Sequence, residues 1–290
     1  MIPNHNNSHF MGGSTTKVLM YHRVLDDSEK NPSFFWCVTQ SQLRTHLGLL
    51  QKWGYTCISF EDHSLAMKEQ LILPKKPVIL TFDDGYEGVY KYALPIMKEF
   101  GVRATVFAIG NRSIRSNLWD SYVNSGGAPL LSDEMICDLH RLGFEIGSHS
   151  MTHPDLTKLQ PNEAWDEITR SKVTLENLIQ APVISFAYPY GLSNAELEGM
   201  VKSAGYDYGV GVFSGPPRLS TNFYNIRRTR MVATTNTIEF AVKILTPYSH
   251  YRWLLWKARR RLAGHKSIPT SAMDTLQEKK IENFHPTWKV

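Results

Sequence analysis

Three short runs of this chain carry residue types that could do chemistry. Val78-Ile-Leu-Thr-Phe-Asp-Asp-Gly-Tyr86 is an apolar stretch that runs out into two adjacent carboxylates, Asp83 and Asp84, and a glycine. Glu145-Ile-Gly-Ser-His-Ser-Met-Thr-His-Pro154 ends in His149 and, four residues on, His153. Two imidazoles at that spacing after a strand can converge on one cation, because the turn between them brings the chain back toward the strand end. Pro154 argues against a helix through the residue before it, which places the pair on a strand-to-loop turn rather than on a helical HExxH. Val183-Ile-Ser-Phe-Ala-Tyr-Pro-Tyr-Gly191 offers a main-chain group instead: the backbone N–H of Tyr190, flanked by Pro189 and Gly191, can stabilise an oxyanion. Read singly, each run also has a plainer meaning: a turn cap, surface histidines, or an ordinary strand-to-helix turn with buried tyrosines.

All three runs sit where a short β-branched or apolar segment gives way to a loop, and such segments alternate with helix-length stretches along the chain. That alternation predicts an α/β architecture with a largely parallel sheet or barrel, in one domain. Strands are expected at 17–21, 78–82, 104–109, 144–147, 183–187 and 208–213, and helices at 41–53, 89–100, 132–142, 162–179 and 194–204. Gly54, Gly101, Gly143 and Gly205 follow four of these helices as stop signals, and Ser132 stands as a cap before an apolar stripe. In such sheets and barrels ligands gather at the carboxyl ends of strands, where the two aspartates and His149 would lie. The polar stretch 111–129 is long for a connection, a length that often accompanies function.

Together the three runs resemble the polysaccharide deacetylases of carbohydrate esterase family 4, the NodB-like family. The resemblance rests on Thr81-Phe-Asp-Asp-Gly85, His149-Ser-Met-Thr-His153 and Phe186-Ala-Tyr-Pro-Tyr-Gly191, in the family's order and at its usual separations, and covers roughly residues 18–233. It implies a distorted (β/α) barrel and a divalent metal, most commonly Zn2+, held by Asp84, His149 and His153. It further implies Asp83 as catalytic base, with the Tyr190 N–H at the oxyanion. An amine leaves only once protonated, so an acid is also needed. The Leu-x-His that many members carry late in the domain is missing after Tyr190. The opening Val18-Leu-Met-Tyr-His-Arg-Val24, however, resembles a subgroup whose late motifs are relocated to the N-terminus, which implies His22 as general acid. The family's motif arginine is replaced by Ala187. Arg228, in Asn225-Ile-Arg-Arg-Thr-Arg230, is expected to substitute for it beside Asp83 and keep that carboxylate ionised, unless these arginines face solvent. Trp119 and Tyr122 in the long loop and Tyr188 in the third run are expected to contact the sugar, and Trp119-Asp120 resembles a recurring feature of the subgroup.

At 290 residues, with 42% hydrophobic and 20% charged residues, the chain is long enough for a real core and is neither low-complexity nor collagenous. Cys37, Cys57 and Cys137 cannot close a disulfide framework and form no CxxC, which points to a reducing compartment. The first residues lack the basic and apolar regions of a secretory signal, and no apolar run approaches the ~20 residues of a spanning helix. The expectation is a cytoplasmic protein with a flexible segment 1–16, a catalytic domain 17–246 and a basic extension 247–290. Residues 241–270 hold seven of the 32 Lys and Arg and no acidic residue, so the net charge of +5 arises there. Read as a helix, 251–262 puts Tyr251, Leu254, Leu255, Ala258 and Leu262 on one face, flanked by Trp253 and Trp256. That face suits either peripheral contact with an anionic membrane or packing on the barrel. Charge confined to so short a segment does not suit nucleic acid. The leading expectation is a metal-dependent hydrolase that removes N-acetyl groups from N-acetylhexosamine units of an oligosaccharide, polysaccharide or lipid-linked glycan. Two rivals stand beside it. One is a catalytically inactive carbohydrate-binding barrel, suggested by Ala187 and the missing late histidine; the other is a non-haem iron oxygenase, which two histidines and a carboxylate also suit.

Overall fold

A computed structural model describes residues 16–29, 35–117, 119, 127–212, 219, 222–248, 250–252, 254–255 and 258. Its centre is an eight-stranded sheet in which every pairing is parallel. The strands are β1 (Lys17–Tyr21), β4 (Thr56–Ile58), β5 (Pro77–Phe82), β6 (Thr105–Ala108), β7 (Glu145–Ser148), β8 (Ser185–Ala187), β9 (Tyr208–Val210) and β10 (Thr229–Arg230). The order is β10-β1-β5-β6-β7-β8-β9, with β4 pairing the first half of β5. Segment 226–230 curls this sheet into a distorted barrel. Ile226 bridges to Val210 beyond one edge while Thr229 and Arg230 pair with Leu19 and Met20 at the other. A separate parallel pair, β2 (Arg23–Leu25) and β3 (Cys37–Thr39), lies outside the sheet.

Period-two alternation along the strands makes two cores. Val78, Leu80 and Phe82 of β5 join the large outer cluster with Leu19 and Tyr21 of β1, Val106 of β6, Ile146 of β7 and Phe186 of β8. Helices cover that layer: α1 (Gln40–Lys52), α3 (Leu94–Glu99), α4 (Asp133–Arg141), α5 (Pro161–Ile179), α6 (Ala195–Ser203) and α7 (Thr237–Leu245). The inward set, Val18, Ile79, Phe107, Ala187 and Val210, packs with Phe60 and Tyr208 into an inner plug. Phe60 opens α2 (Phe60–Met67), which follows β4. Gly147 belongs to the inward row of β7, and a Cβ there would meet the Phe107 ring at 2.4 Å, so only glycine lets that wall close on the plug.

The strands and helices expected from patterning are present, within a few residues at their ends. The Ser132 side chain accepts from the Met135 N–H to open α4, a cap worth about 1 kcal/mol. The stretch expected as one helix over 89–100 is divided into a π-type turn at Val89–Ala93 and α3. Pro95 has no N–H to return to the Lys91 carbonyl, and a widened turn before it absorbs the break. The expected strand 208–213 pairs only through Val210, and Phe213 lies outside the described residues. So do segment 1–15, Tyr122 and most of 247–290, including Trp253, Trp256 and Leu262. Within that extension Tyr251 and Leu254 are exposed, at 61% and 48%. Among the described residues no helix is long and apolar enough to cross a membrane.

Candidate metal centre and active site

The carboxyl ends of the strands bring the sequence-predicted groups together. Asp83 and Asp84 follow β5, His149 follows β7, His22 follows β1, and Tyr190 lies in the turn after β8. Asp83 extends the inward row of Ile79 and Thr81, and its N–H donates to the Tyr21 carbonyl. Asp84 then takes φ 69°, a left-handed conformation uncommon outside glycine, which turns its carboxylate toward the histidines. Nε2 of His149 and Nε2 of His153 stand 3.1 Å and 3.3 Å from the same Asp84 oxygen, and all three residues are buried.

The loop that carries the histidines is held from three sides. Glu167 of α5 accepts from the backbone N–H groups of Met151 and Thr152, both at 2.8 Å, and from the Thr152 hydroxyl. The Ser150 hydroxyl accepts from the His153 N–H, while the Ser150 and Met151 carbonyls accept from Gly110 and Asn111. His149 Nδ1 lies 2.8 Å from the Ala187 carbonyl. A carbonyl can only accept, so Nδ1 carries a proton, and Nε2 is the atom turned toward Asp84. This arrangement is how metal-binding imidazoles are commonly oriented.

These residues fit a divalent cation. Ligands about 2.1 Å from a metal stand about 3.0–3.4 Å from one another in octahedral or tetrahedral geometry, which is the spacing of the Nε2 atoms from the Asp84 oxygen. One donor atom from each of Asp84, His149 and His153 falls within a 4.8 Å cluster. Burial opposes the Asp84 charge, yet the hydrogen bonds from the two imidazoles hold its carboxyl well below the usual carboxylate range. Two neutral imidazoles and one carboxylate leave a bound dication with net positive charge and open coordination positions.

Asp83 is turned away from that cluster and gripped by Arg228. Nη1 and Nη2 of Arg228 each reach one carboxylate oxygen at 2.6 Å, a bidentate pair, and both side chains are buried. Nη1 also donates to the Thr81 hydroxyl and Nε to the Gly211 carbonyl, with the guanidinium 5.6 Å from the Phe107 ring centre. Burial pushes the Asp83 carboxyl up, but Arg228 and then His149 outweigh it, and Asp83 stays ionised below its ordinary range. Arg228 faces the interior rather than solvent. Ala187 is inward-facing and packed in the inner plug.

His22 is enclosed, with its Nδ1 buried and without a hydrogen-bond partner. Burial lowers its proton affinity, and Asp84 and Asp83 pull the other way. Its ring lies 5.1 Å from that of Trp36, whose own face carries the Arg230 guanidinium at 5.4 Å. Trp36 was not singled out by sequence reasoning: it precedes β3 in a run with no motif-like spacing. Tyr190 sits at φ 58° with its ring 4.8 Å from His153 and 45% exposed. Gly191 packs its α-carbon side against Val212, which a Cβ would meet at 2.4 Å. Trp119 stacks on His153 at 4.4 Å between ring centres and 19° between planes, so it lies at the site. Tyr188 does not. It is fully buried in the outer core, packed on Phe186, with its hydroxyl donating to the Tyr224 carbonyl. An outward-facing strand position has no access to a cleft on the inner face, and this corrects the expectation that Tyr188 contacts the sugar.

Comparison with known proteins converges on one family. Residues 71–209 match the family model described as polysaccharide deacetylase. A putative polysaccharide deacetylase of Bacillus subtilis, YxkH, is 28% identical over 214 residues, which are 74% of this chain and 70% of that protein. A poly-beta-1,6-N-acetyl-D-glucosamine N-deacetylase of Staphylococcus aureus is 24% identical over 229 residues, 72% of this chain and 76% of its own. Among solved structures, a polysaccharide deacetylase from Bacillus cereus superposes with a TM-score of 0.62 at 25% identity, covering 79% of this chain and 68% of that one. The Streptococcus pyogenes deacetylase PplD, solved with acetate, has the same fold with a TM-score of 0.66 at 23% identity, over 79% and 97% of the two chains. With the three sequence runs meeting at one end of a distorted (β/α) barrel, residues 71–209 match the polysaccharide deacetylase family, and the chain resembles its members over a longer span.

Proposed function

We propose that this protein is a metal-dependent N-deacetylase that hydrolyses the acetamido group of N-acetylhexosamine units in a glycan. The observation that carries the reading is the separation of two adjacent carboxylates into two environments. Asp84 lies with His149 and His153, where it would hold a divalent cation, Zn2+ by the chemistry of this donor set. Asp83 lies with Arg228 and is left as a base. A dication bound there supplies Lewis acidity, polarising the acetyl carbonyl and acidifying water.

The chain's own groups do the rest. Asp83, ionised and aimed by the Arg228 fork, accepts the proton of the attacking water. Water oxygen bonds to the acetyl carbon as the carbonyl becomes an oxyanion, toward which the Tyr190 N–H donates from its left-handed turn. His22 protonates the nitrogen as the C–N bond breaks, so acetate and a free amino sugar leave. Burial lowers the His22 proton affinity, which makes it a willing donor once charged, and the two aspartates keep the charged form accessible. Arg228 fills the role left open at Ala187, which removes one of the two reasons for reading the barrel as inactive.

The test is acetate release from N-acetylglucosamine oligomers and from poly-β-1,6-N-acetyl-D-glucosamine, the glycan named for the Staphylococcus relative. Metal content is measured on the same samples. Wild type is expected to release acetate, and Asp83→Asn to keep its metal and lose turnover. A metal-loaded wild type that releases none from any N-acetylated glycan would return the inactive binding barrel to first place.

A further inference from the structure

Arg227 stands next to Arg228 in sequence and leaves the chain on the opposite side. Ile226 packs in the inner plug and Arg228 meets Asp83 there, so alternation sends Arg227 to the outer face of the barrel wall. It is only 8% exposed, and its Nη1 is sealed from solvent without a hydrogen-bond partner. Among the described residues, the charged groups that act on it most are the Tyr248 phenol and two more arginines, Arg252 and Arg230, none of them a carboxylate. Glu239, a carboxylate on the neighbouring helix α7, is taken by Lys243, whose Nζ also donates to the Arg230 carbonyl and the Thr235 hydroxyl. Burial, then Arg252 and Arg230, push the Arg227 guanidinium down to about 10, so it remains charged at neutral pH. A buried cation without an anion is costly, and proteins ordinarily satisfy a guanidinium fork with a carboxylate or a phosphate.

We propose that Arg227 and Arg252 form an oxyanion site on the outer wall of the barrel, of the chemistry that takes a phosphate monoester or diester. The bound group supplies an acceptor and a negative charge to the Arg227 Nη1, on the far side of the wall from Asp83. The site therefore stands apart from the proposed deacetylation and does not rest on it. Two sources present that chemistry, a soluble phosphorylated ligand and a phospholipid headgroup. The second is worth its own arm because α7 turns Ile238, Val242 and Leu245 to solvent, at 77%, 43% and 54% exposure, and Tyr251 and Leu254 are exposed just beyond it.

The experiment is thermal melting of the full chain in inorganic phosphate against chloride at matched ionic strength. Wild type is expected to gain a saturable upward shift in Tm with phosphate. Arg227→Gln should lose that shift and, relieved of an unpaired buried cation, melt at or above wild type without phosphate. Arg252→Gln should keep a weaker shift. The second arm is co-sedimentation with phosphatidylcholine vesicles with and without phosphatidylglycerol. Sedimentation that needs the anionic lipid and is lost in Arg227→Gln identifies a headgroup, whereas wild type that remains in solution identifies a soluble phosphate. A phosphate response no larger than that of chloride, or one undiminished in Arg227→Gln, overturns the proposal. Should Arg227→Gln not fold, an undiminished shift in Arg252→Gln does the same.

Discussion

The two ends of the barrel both bury carboxylates and treat them in opposite ways. At the carboxyl end Asp83 is given a bidentate arginine and Asp84 two imidazoles, and both are held ionised below the usual range. At the other end Glu145, 1% exposed, is given neutral donors: the Ser185 hydroxyl at 2.6 Å, the Thr105 hydroxyl at 3.3 Å and the Glu61 N–H of α2 at 3.0 Å. Burial pushes Glu145 up to about 7 despite those donors. Backbone strain divides the same way. Of the six described non-glycine residues at positive φ, Asp84, Ser150, His153 and Tyr190 lie at the carboxyl end, while Glu69 and Gln180 follow the ends of helices α2 and α5. Strain and maintained charge together mark a place built to act, while neutral donors under a capping helix mark one built to hold.

Breaking the metal-side arrangement should have the largest effect. Asp84→Ala or His149→Ala is expected to empty the cluster of metal and to lower acetate release on the order of 10³-fold or more, because the Lewis acid is worth several kcal/mol. Glu145→Gln at the opposite end should leave the metal content unchanged. Elemental analysis beside an acetate assay measures both, and retention of metal in the two alanine variants would dissolve the contrast. Next in size is Arg228→Met, which leaves Asp83 a buried charge without its partner. Unfolding in denaturant at neutral pH should show a loss of about 3–5 kcal/mol, partly restored by adding Asp83→Asn. An unchanged midpoint would mean that the guanidinium fork does not compensate that charge.

The barrel's other end gives a smaller effect with the opposite dependence on pH. Glu145 has a folded value of about 7 against an ordinary 4.5, so the folded protein keeps a proton that the unfolded chain releases. Its contribution is complete below 4.5 and is lost as pH rises through about 7, at about 3 kcal/mol in all. The depressed aspartates behave in reverse, their contribution being present above the ordinary 3.8 and lost as pH falls through their lower folded values. His46 and His63, which burial lowers to about 4, work against this below about pH 6.5, so the Glu145 contribution is read as a difference: the stability of wild type relative to Glu145→Gln should fall as pH rises from about 5 to 8. A difference that does not change with pH would mean that Glu145 keeps no proton in the folded protein.

The same contrast explains what the sequence disclosed. The carboxyl end is legible because the strands there end in unusual residues at motif spacing, so that Asp83, Asp84, His149 and His153 stand out from the sequence alone. The inner plug was legible only in outline. A strand buried on both faces reads as one apolar run, so nothing in Val183–Ala187 distinguishes outward Phe186 from inward Ala187, and the pattern does not reveal that Tyr188 belongs to the outer core. Short strands such as β4 and β10, of three and two residues, carry too few positions for periodicity to register. Glu145, the only acid in its strand, was read merely as the start of a run. Its role depends on Glu61 and Ser185, far away in sequence. Arg228 was identified by a resemblance and by its place in the run 225–230, yet its bidentate grip on Asp83 spans 145 residues and no local pattern encodes it.

The finest test of the contrast uses the polar atoms each end leaves unsatisfied. The carboxyl end has Trp119 Nε1 and His22 Nδ1, and the other end has His63 Nε2. His63 sits on α2 among Tyr208 and Phe223, with Nδ1 on the Tyr208 hydroxyl, so its orphan atom faces core. Burying a donor without a partner costs about 1–3 kcal/mol, and the cost is sustained without consequence for function unless a ligand completes the bond. If Trp119 Nε1 is completed by substrate, Trp119→Phe, which preserves the ring stacked on His153, should hold stability within about 1 kcal/mol. Its KM should rise a few-fold while kcat stays near wild type, the mark of a contact made equally in ground and transition states, about 1 kcal/mol in size. A change at His63 should move stability alone. Equal responses at the two ends, both confined to stability, would show that the Trp119 N–H is a packing cost like the other and takes no part in recognising the sugar.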